Sequence, residues 1–192
     1  ASQGDGNYGV RINSGNYLAN VAVWGNGGSV HRCSVASSTN TCNIAIPSEN
    51  FVFRIQSSAG VNLLEDVGAN GQVVLERSRL GYWLQSRTGG LFKSNLKLPT
   101  GVTAHYEFSV YPTDKSNRHG VSRSYKVSVT GETVTAVTDL LTGTAVTVGS
   151  DGVYGLRLGA PNLSGTVTGT DGSTPIPNSF VEISGPIWTG IN

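Results

Sequence analysis

Cys33 and Cys42 are the only cysteines in this 192-residue chain, and they stand nine positions apart around a run rich in serine, threonine and asparagine. A pair so placed can close a disulfide across a hairpin or loop, the chemistry of a chain folded in an oxidising compartment. The alternative is two buried thiols in a reducing one. No second cysteine pair or histidine pair completes four ligands, so no metal is expected. His31, His105 and His119 are scattered without ligand spacing, and none is expected to be catalytic. The Gly-x-Ser-x-Gly elbow of a serine nucleophile does not occur in the sequence. Asp5, Asp151 and Asp171 each precede glycine, the pattern of turn-forming aspartate, and the acids are too sparse for a calcium loop. Glu65-Asp66 and Glu107 stay open as paired glycosidase carboxylates, with nothing specific around them. Trp24, Trp83 and Trp188 can stack on sugars or fill cores and module junctions. Asn162-Leu163-Ser164 fits an N-glycosylation acceptor, the alternative being an asparagine in an edge turn. The expectation is a chain with no catalytic residue and no cofactor.

The elements that must carry these residues read as strands. Lys and Arg total 13 against 12 for Asp and Glu, so the concentrated basic field of a nucleic-acid surface is missing. Charged residues are 13% of the chain, about half the usual share, while glycine reaches 26 residues and methionine is absent. This is a palette of turns and strands. No run approaches the roughly 18 apolar residues of a membrane-spanning helix. Period-two alternation predicts a hairpin over 5–24, with strands at 8–12 and 17–23 around the turn 13–16. Further strands are predicted near 29–34, 51–55, 72–76, 82–84, 91–98, 106–111, 125–129, 134–137, 145–148, 155–158, 163–168 and 179–183. Residues 113–122 are polar and aperiodic, an internal boundary or exposed loop. The one stretch that could be helical is 61–67, which is too short to be a good candidate.

One string occurs twice. Asp5-Gly6-Asn7-Tyr8-Gly9-Val10-Arg11-Ile12 returns as Asp151-Gly152-Val153-Tyr154-Gly155-Leu156-Arg157-Leu158, displaced by 146 positions, with five identities and two aliphatic swaps. Arrays of similar β-modules look like this. Residues 163–183 carry a Gly165-Thr166-Val167 strand opening, then Asp171-Gly172-Ser173-Thr174-Pro175-Ile176, then Val181-Glu182-Ile183. That order resembles the opening half of carboxypeptidase-regulatory-like modules, also called transthyretin-like or CNA-B-like. Residues 5–23 resemble their closing half. The resemblance covers about 55 terminal residues well and 81–112 loosely. It implies small Greek-key β-sandwiches that serve as spacers, stalks or carbohydrate-contacting accessories. Some such modules carry an internal Lys–Asn bond promoted by an acid. Lys126 and Glu107 are the nearest match here, without a clear asparagine partner.

The expected fold is therefore all-β: two or more small antiparallel Greek-key sandwiches, immunoglobulin-like or transthyretin-like, with module boundaries circularly offset from the chain ends. The divisions are 1–30, the closing half of a module; 31–115, a sandwich with the Cys33–Cys42 loop; 116–160, further sandwich strands; and 161–192, the opening half of the next module. The window then begins and ends inside modules. The expected role is non-enzymatic: a fibre or stalk segment outside the cell or on its surface, joined to other copies of itself by strand addition. Residues 163–192 of one copy are expected to pair with 5–24 of the next, through Tyr8, Val10, Ile12, Val167, Phe180, Val181 and Ile183. A surface glycan or protein receptor completes the partners, with no nucleic acid and no membrane insertion. The alternative is a carbohydrate-binding accessory module of a secreted enzyme, marked by a coplanar ring pair such as Trp83 with Tyr82 or Tyr111. A third reading is a catalytic domain on an all-β scaffold, marked by clustered carboxylates.

Overall fold

Most of the alternating apolar and polar segments among the described residues form strands, because successive side chains on a pleated strand point to opposite faces. The computed structural model describes residues 7–36, 40–76, 78–114, 119–161, 165–177 and 179. Its strands are β1 (Gly15–Val23), β2 (Gly27–Val35), β3 (Phe51–Gln56), β4 (Val67–Leu75), β5 (Ser78–Leu84), β6 (Leu91–Ser94), β7 (Ala104–Pro112), β8 (Arg123–Thr130), β9 (Thr133–Asp139) and β10 (Tyr154–Arg157). No helix occurs among the described residues. Residues 61–67 are extended instead: Asn62 bridges back to Gln56, and Val67 opens β4.

The strands form a two-stranded sheet β1-β2, a three-stranded sheet β10-β3-β6 and a five-stranded sheet β5-β4-β7-β8-β9. All pairings are antiparallel except β10 with β3, which is parallel. The alternation decides which face is buried. Phe51, Phe53 and Ile55 point inward from β3, and Tyr106, Phe108 and Val110 point inward from β7. The two sheets meet through these rings: Phe51 and Phe53 lie 4.9 and 5.7 Å from Phe108 between centroids, and Phe53 stacks on Phe92 at 5.3 Å. Each fully buried phenylalanine contributes about 2–3 kcal/mol by removal from water. Tyr82 is clamped between glycines. A Cβ at Gly71 would stand 2.4 Å, and one at Gly28 2.6 Å, from its ring carbons, so only glycine lets β4 and β2 close on it.

Two edges are covered by irregular backbone. Residues 144–148 bond to β9 on one side, through Val146 N–H to the Val137 carbonyl (2.8 Å) and Asp139 N–H to the Thr144 carbonyl (2.9 Å). Beyond them, Val148 bridges Tyr154 at the start of β10. The sequence predicts a strand at 145–148; the structure makes it a seam of single bridges.

Contacts gather Ala1–Ala160 into one compact unit and Pro161–Asn192 into another. The division expected at 30/31 falls inside β2, and that at 115/116 falls between β7 and β8, which pair within one sheet. The physical reason is shared burial: Val30 of β2 belongs to the same core as residues of β3 through β10. The second unit contains a tight hairpin, with Thr168 bridging Pro175 and Ile176 N–H donating to the Val167 carbonyl at 2.9 Å. Asp171 shapes its turn by accepting from the backbone N–H groups of Ser173 (3.1 Å) and Thr174 (3.0 Å).

The expected hairpin of 8–12 with 17–23 does not form. Residues 17–23 lie in β1, but their partner is β2, reached through the turn at Trp24, Gly25 and Asn26. Gly25 adopts φ +78°, a left-handed conformation that glycine takes without a Cβ clash. A nine-residue partner with continuous register outcompetes a short segment that carries glycine at position 9.

Candidate functional site

The two copies of the repeated string end in different environments. In the second, Asp151 Oδ1 accepts from Val153 N–H at 3.2 Å, and Arg54 donates to Asp151 Oδ2 at 2.7 Å. The turn then launches β10, which pairs with β3 from Tyr154↔Phe53 to Arg157↔Gln56. Leu156 is 0% exposed and Leu158 is 2% exposed. In the first copy, residues 7–14 form no strand and contain one isolated bridge, at Tyr8. Val10 is 64% exposed, Ile12 44% and Tyr8 44%. The Tyr8 hydroxyl donates to the Cys42 carbonyl, so the segment is tethered to the cysteine loop.

That loop is closed by a Cys33–Cys42 disulfide, with Cα atoms 5.7 Å apart. Cys33 sits on β2 opposite Tyr17 of β1. β1 pairs with β2 alone among the described strands, and it has no charged residue and no proline along its nine positions. A long, uncharged strand with an open edge offers backbone N–H and C=O groups for further pairing.

Of the other expected contact residues, Val167 is 38% exposed in the second unit, and Ile176 beside it is 48% exposed. Phe180, Val181 and Ile183 lie outside the described residues, as do Asn162 and Trp188.

The candidate chemical groups are spread over separate elements. His31 lies on β2, His105 on β7, and His119 just before β8. Sequence reasoning missed the meeting of Ser29 and His31: their side chains, two apart on one strand face, lie 2.8 Å from each other in the core. Burial and the nearby Lys97 charge lower the His31 pKa, so it remains a neutral imidazole at pH 7. Ser29 is buried at 1% exposure, which leaves its hydroxyl no path to a substrate. Glu107 faces outward on β7, and Asp66 stands one residue before β4. Glu107 pairs in register with Gln72, six positions beyond Asp66, a separation of roughly 20 Å along the strand. Paired glycosidase carboxylates stand about 5–10 Å apart, so these do not make such a pair.

Glu107 is held by its own face. Gln72 donates to it at 2.6 Å, His105 lies at 3.2 Å and Arg79 at 3.9 Å. Burial alone would raise its pKa; these hydrogen bonds and charges outweigh burial and lower it. Lys126 stands opposite Glu107 in register, and its other cross-strand neighbour is Thr138, so the positions flanking Lys126 do not supply an asparagine.

A groove of about 630 Å³ runs along the 144–148 seam and is lined by Arg54, Arg123, Arg157, Asp139 and Asp151 among others. Arg123 Nε donates to Asp139 at 2.5 Å. Burial alone would raise the Asp139 pKa, but that bond and the N–H groups of Thr142 and Leu141 bring it below the usual range. Two of the three arginines are thus neutralised by aspartates. Among the described residues no three His, Cys, Asp or Glu side chains converge on a common point, and no helix is long and apolar enough to cross a membrane.

Of the two ring pairs anticipated for a sugar site, Trp83 with Tyr82 does not form on the surface. Tyr82 is buried in the core, and Trp83 meets Trp24 instead, edge to face at 86° with centroids 5.0 Å apart. No protein-family model, no curated protein and no solved structure matches this chain.

Proposed function

We propose that this chain is a structural, adhesive segment of an extracellular fibre or stalk, built of carboxypeptidase-regulatory-like β-sandwich modules, in which one copy completes another by strand addition. The observation that carries the reading is the divergence of the repeated string. The same turn-and-strand code is buried against β3 at 151–158, yet at 7–12 it leaves Val10 and Ile12 largely in water. Burying the part of those two side chains that is still exposed would contribute about 1 kcal/mol each. The uncharged open edge of β1 lies next in sequence and supplies hydrogen-bonding groups for the same encounter. The exposed Val167 and Ile176 of the second unit offer matching apolar surface, and residues 163–192 are the proposed donor to residues 5–24 of the next copy. A disulfide-bonded, all-β chain suits an oxidising location outside the cell.

Sedimentation equilibrium of the full chain over a wide concentration range tests this. Association that grows with concentration is expected, together with its loss in the double variant Val10→Asp, Ile12→Asp. The circular-dichroism melt of that variant should be unchanged, because both positions are exposed in the isolated chain. A chain that stays monomeric at the highest concentration, or a double variant that associates as well as the parent, overturns the reading.

A further inference from the structure

The outward face of the five-stranded sheet combines aromatic rings with fixed polar groups. Trp83 projects from β5 beside Asn70 of β4, and Tyr111 projects from β7 beside Gly68 of β4. These positions alternate with the inward-pointing Tyr82, Leu84, Ala69 and Val110, which assigns them to the outer surface. The Tyr111 ring does not stand off the sheet. It covers the point where a Cβ on Gly68 would lie, with ring carbons 2.6 and 2.7 Å from that point. Only a glycine there lets the ring lie down across β4. Trp83 is braced by Trp24, which is 80% exposed and extends the aromatic surface past the sheet edge.

Between and beside the rings stand groups suited to hydroxyls. Asn70 is exposed, and Gln72 and Glu107, which hydrogen-bond to each other, occupy the next row outward on β4 and β7. Arg79 near Glu107 and Lys126 opposite it offset its charge, so the face has no strong net field to attract an ion. Trp83 and Tyr111 are two strands and two residues apart, roughly 12 Å between their Cα atoms. That span exceeds one sugar ring.

We infer that this face binds a neutral, extended polysaccharide whose sugar units present flat C–H surfaces, as equatorially linked hexopyranoses do. The C–H faces stack on Trp83 and Tyr111, Trp24 contacts the chain where it leaves the sheet, and Asn70, Gln72 and Glu107 hydrogen-bond to hydroxyls. Flat C–H surface against a ring and hydroxyls against amides and a carboxylate is the complementarity that an amphipathic aromatic surface offers. The site does not depend on pairing between copies, so its failure would leave the fibre reading standing.

The test is titration of the full chain with cellohexaose, followed by tryptophan fluorescence and calorimetry, with maltohexaose as the axially linked comparison. Saturable binding of cellohexaose is expected, at least tenfold tighter than maltohexaose. Trp83→Ala should weaken it at least tenfold. Gly68→Val, which lifts the Tyr111 ring without removing any polar group, and Gln72→Ala should each weaken it several-fold; at least one of these is expected to melt as the parent does. No binding of cellohexaose, equal binding of both hexamers, or binding unmoved in every variant that remains folded overturns the proposal.

Discussion

Residues 7–12 and 153–158 carry nearly the same sequence and meet opposite fates. Tyr154, Leu156 and Leu158 are drawn into a strand or its immediate extension, with Leu156 and Leu158 in the core, while Tyr8, Val10 and Ile12 remain at the surface. Local propensity cannot explain the difference, since the alternation and the flanking glycines are shared. What differs is the partner. β3 offers β10 an edge with three inward apolar side chains behind it, and the seam at 144–148 covers β10 from the other side. The first copy has a tether to the Cys42 carbonyl and no comparable edge among the described residues. A strand code is therefore a readiness to pair, and the neighbourhood decides whether pairing happens.

The sharpest way to break this comparison is to truncate equivalent positions. Leu156→Ala should destabilise the chain by about 2–5 kcal/mol, because it empties a fully buried site. Val10→Ala should cost no more than about 0.5 kcal/mol in dilute solution, because the side chain is already in water. Urea unfolding of both variants measures the contrast. Equal losses would mean that the first copy is packed after all.

A smaller effect sharpens it from the side of the tether. The Cys33→Ser, Cys42→Ser variant should lose about 2–3 kcal/mol, the entropy of closing so short a loop. Backbone protection from hydrogen exchange should fall in β2 and around Tyr8, and should stay unchanged in β10. A drop that reached β10 would show that the two copies are coupled, contrary to the comparison.

The smallest test concerns the seam that shelters β10. Asp139 holds Arg123 and the 141–142 turn, and its pKa is lowered in the folded chain. A depressed folded pKa gives stability that is present above the unfolded value of about 3.9 and is lost as pH falls through the folded value. Asp139→Asn should cost about 2 kcal/mol at pH 7, in the range of one charged hydrogen bond. It should also flatten the acid limb of the stability curve below pH ~4. An unchanged acid limb would remove Asp139 from the account of how β10 is covered.

Much of the architecture was legible because strand periodicity is a local property. The segments at 51–55, 106–111, 125–129 and 134–137 all lie inside β3, β7, β8 and β9, and Asp151 and Asp171 both shape turns as their Asp-Gly context suggests. Boundaries were less legible. β4 begins at Val67, well before the alternation at 72 becomes clean, because Gly68 and Gly71 are required by the rings of Tyr111 and Tyr82. Glycine in a strand reads as a break until the ring that needs the space is known. The candidate surfaces were less legible still. Trp83 was visible as an aromatic, but not that it would meet Trp24 from the turn between β1 and β2, nor that the anticipated Tyr82 would turn inward.

By itself the sequence determined the class of structure: its alternation, its glycine-marked turns and its lack of helical periodicity allow little besides antiparallel β. It also placed the two cysteines close enough along the chain to bridge. Only the tertiary structure decided which of two near-identical segments is buried, that Ala1–Ala160 folds as one unit, and which aromatic rings face water. The physical reason is range. Pleat and turn are set by neighbours a few residues away, whereas burial depends on strands brought together across the whole chain, and no local pattern records which of them will arrive.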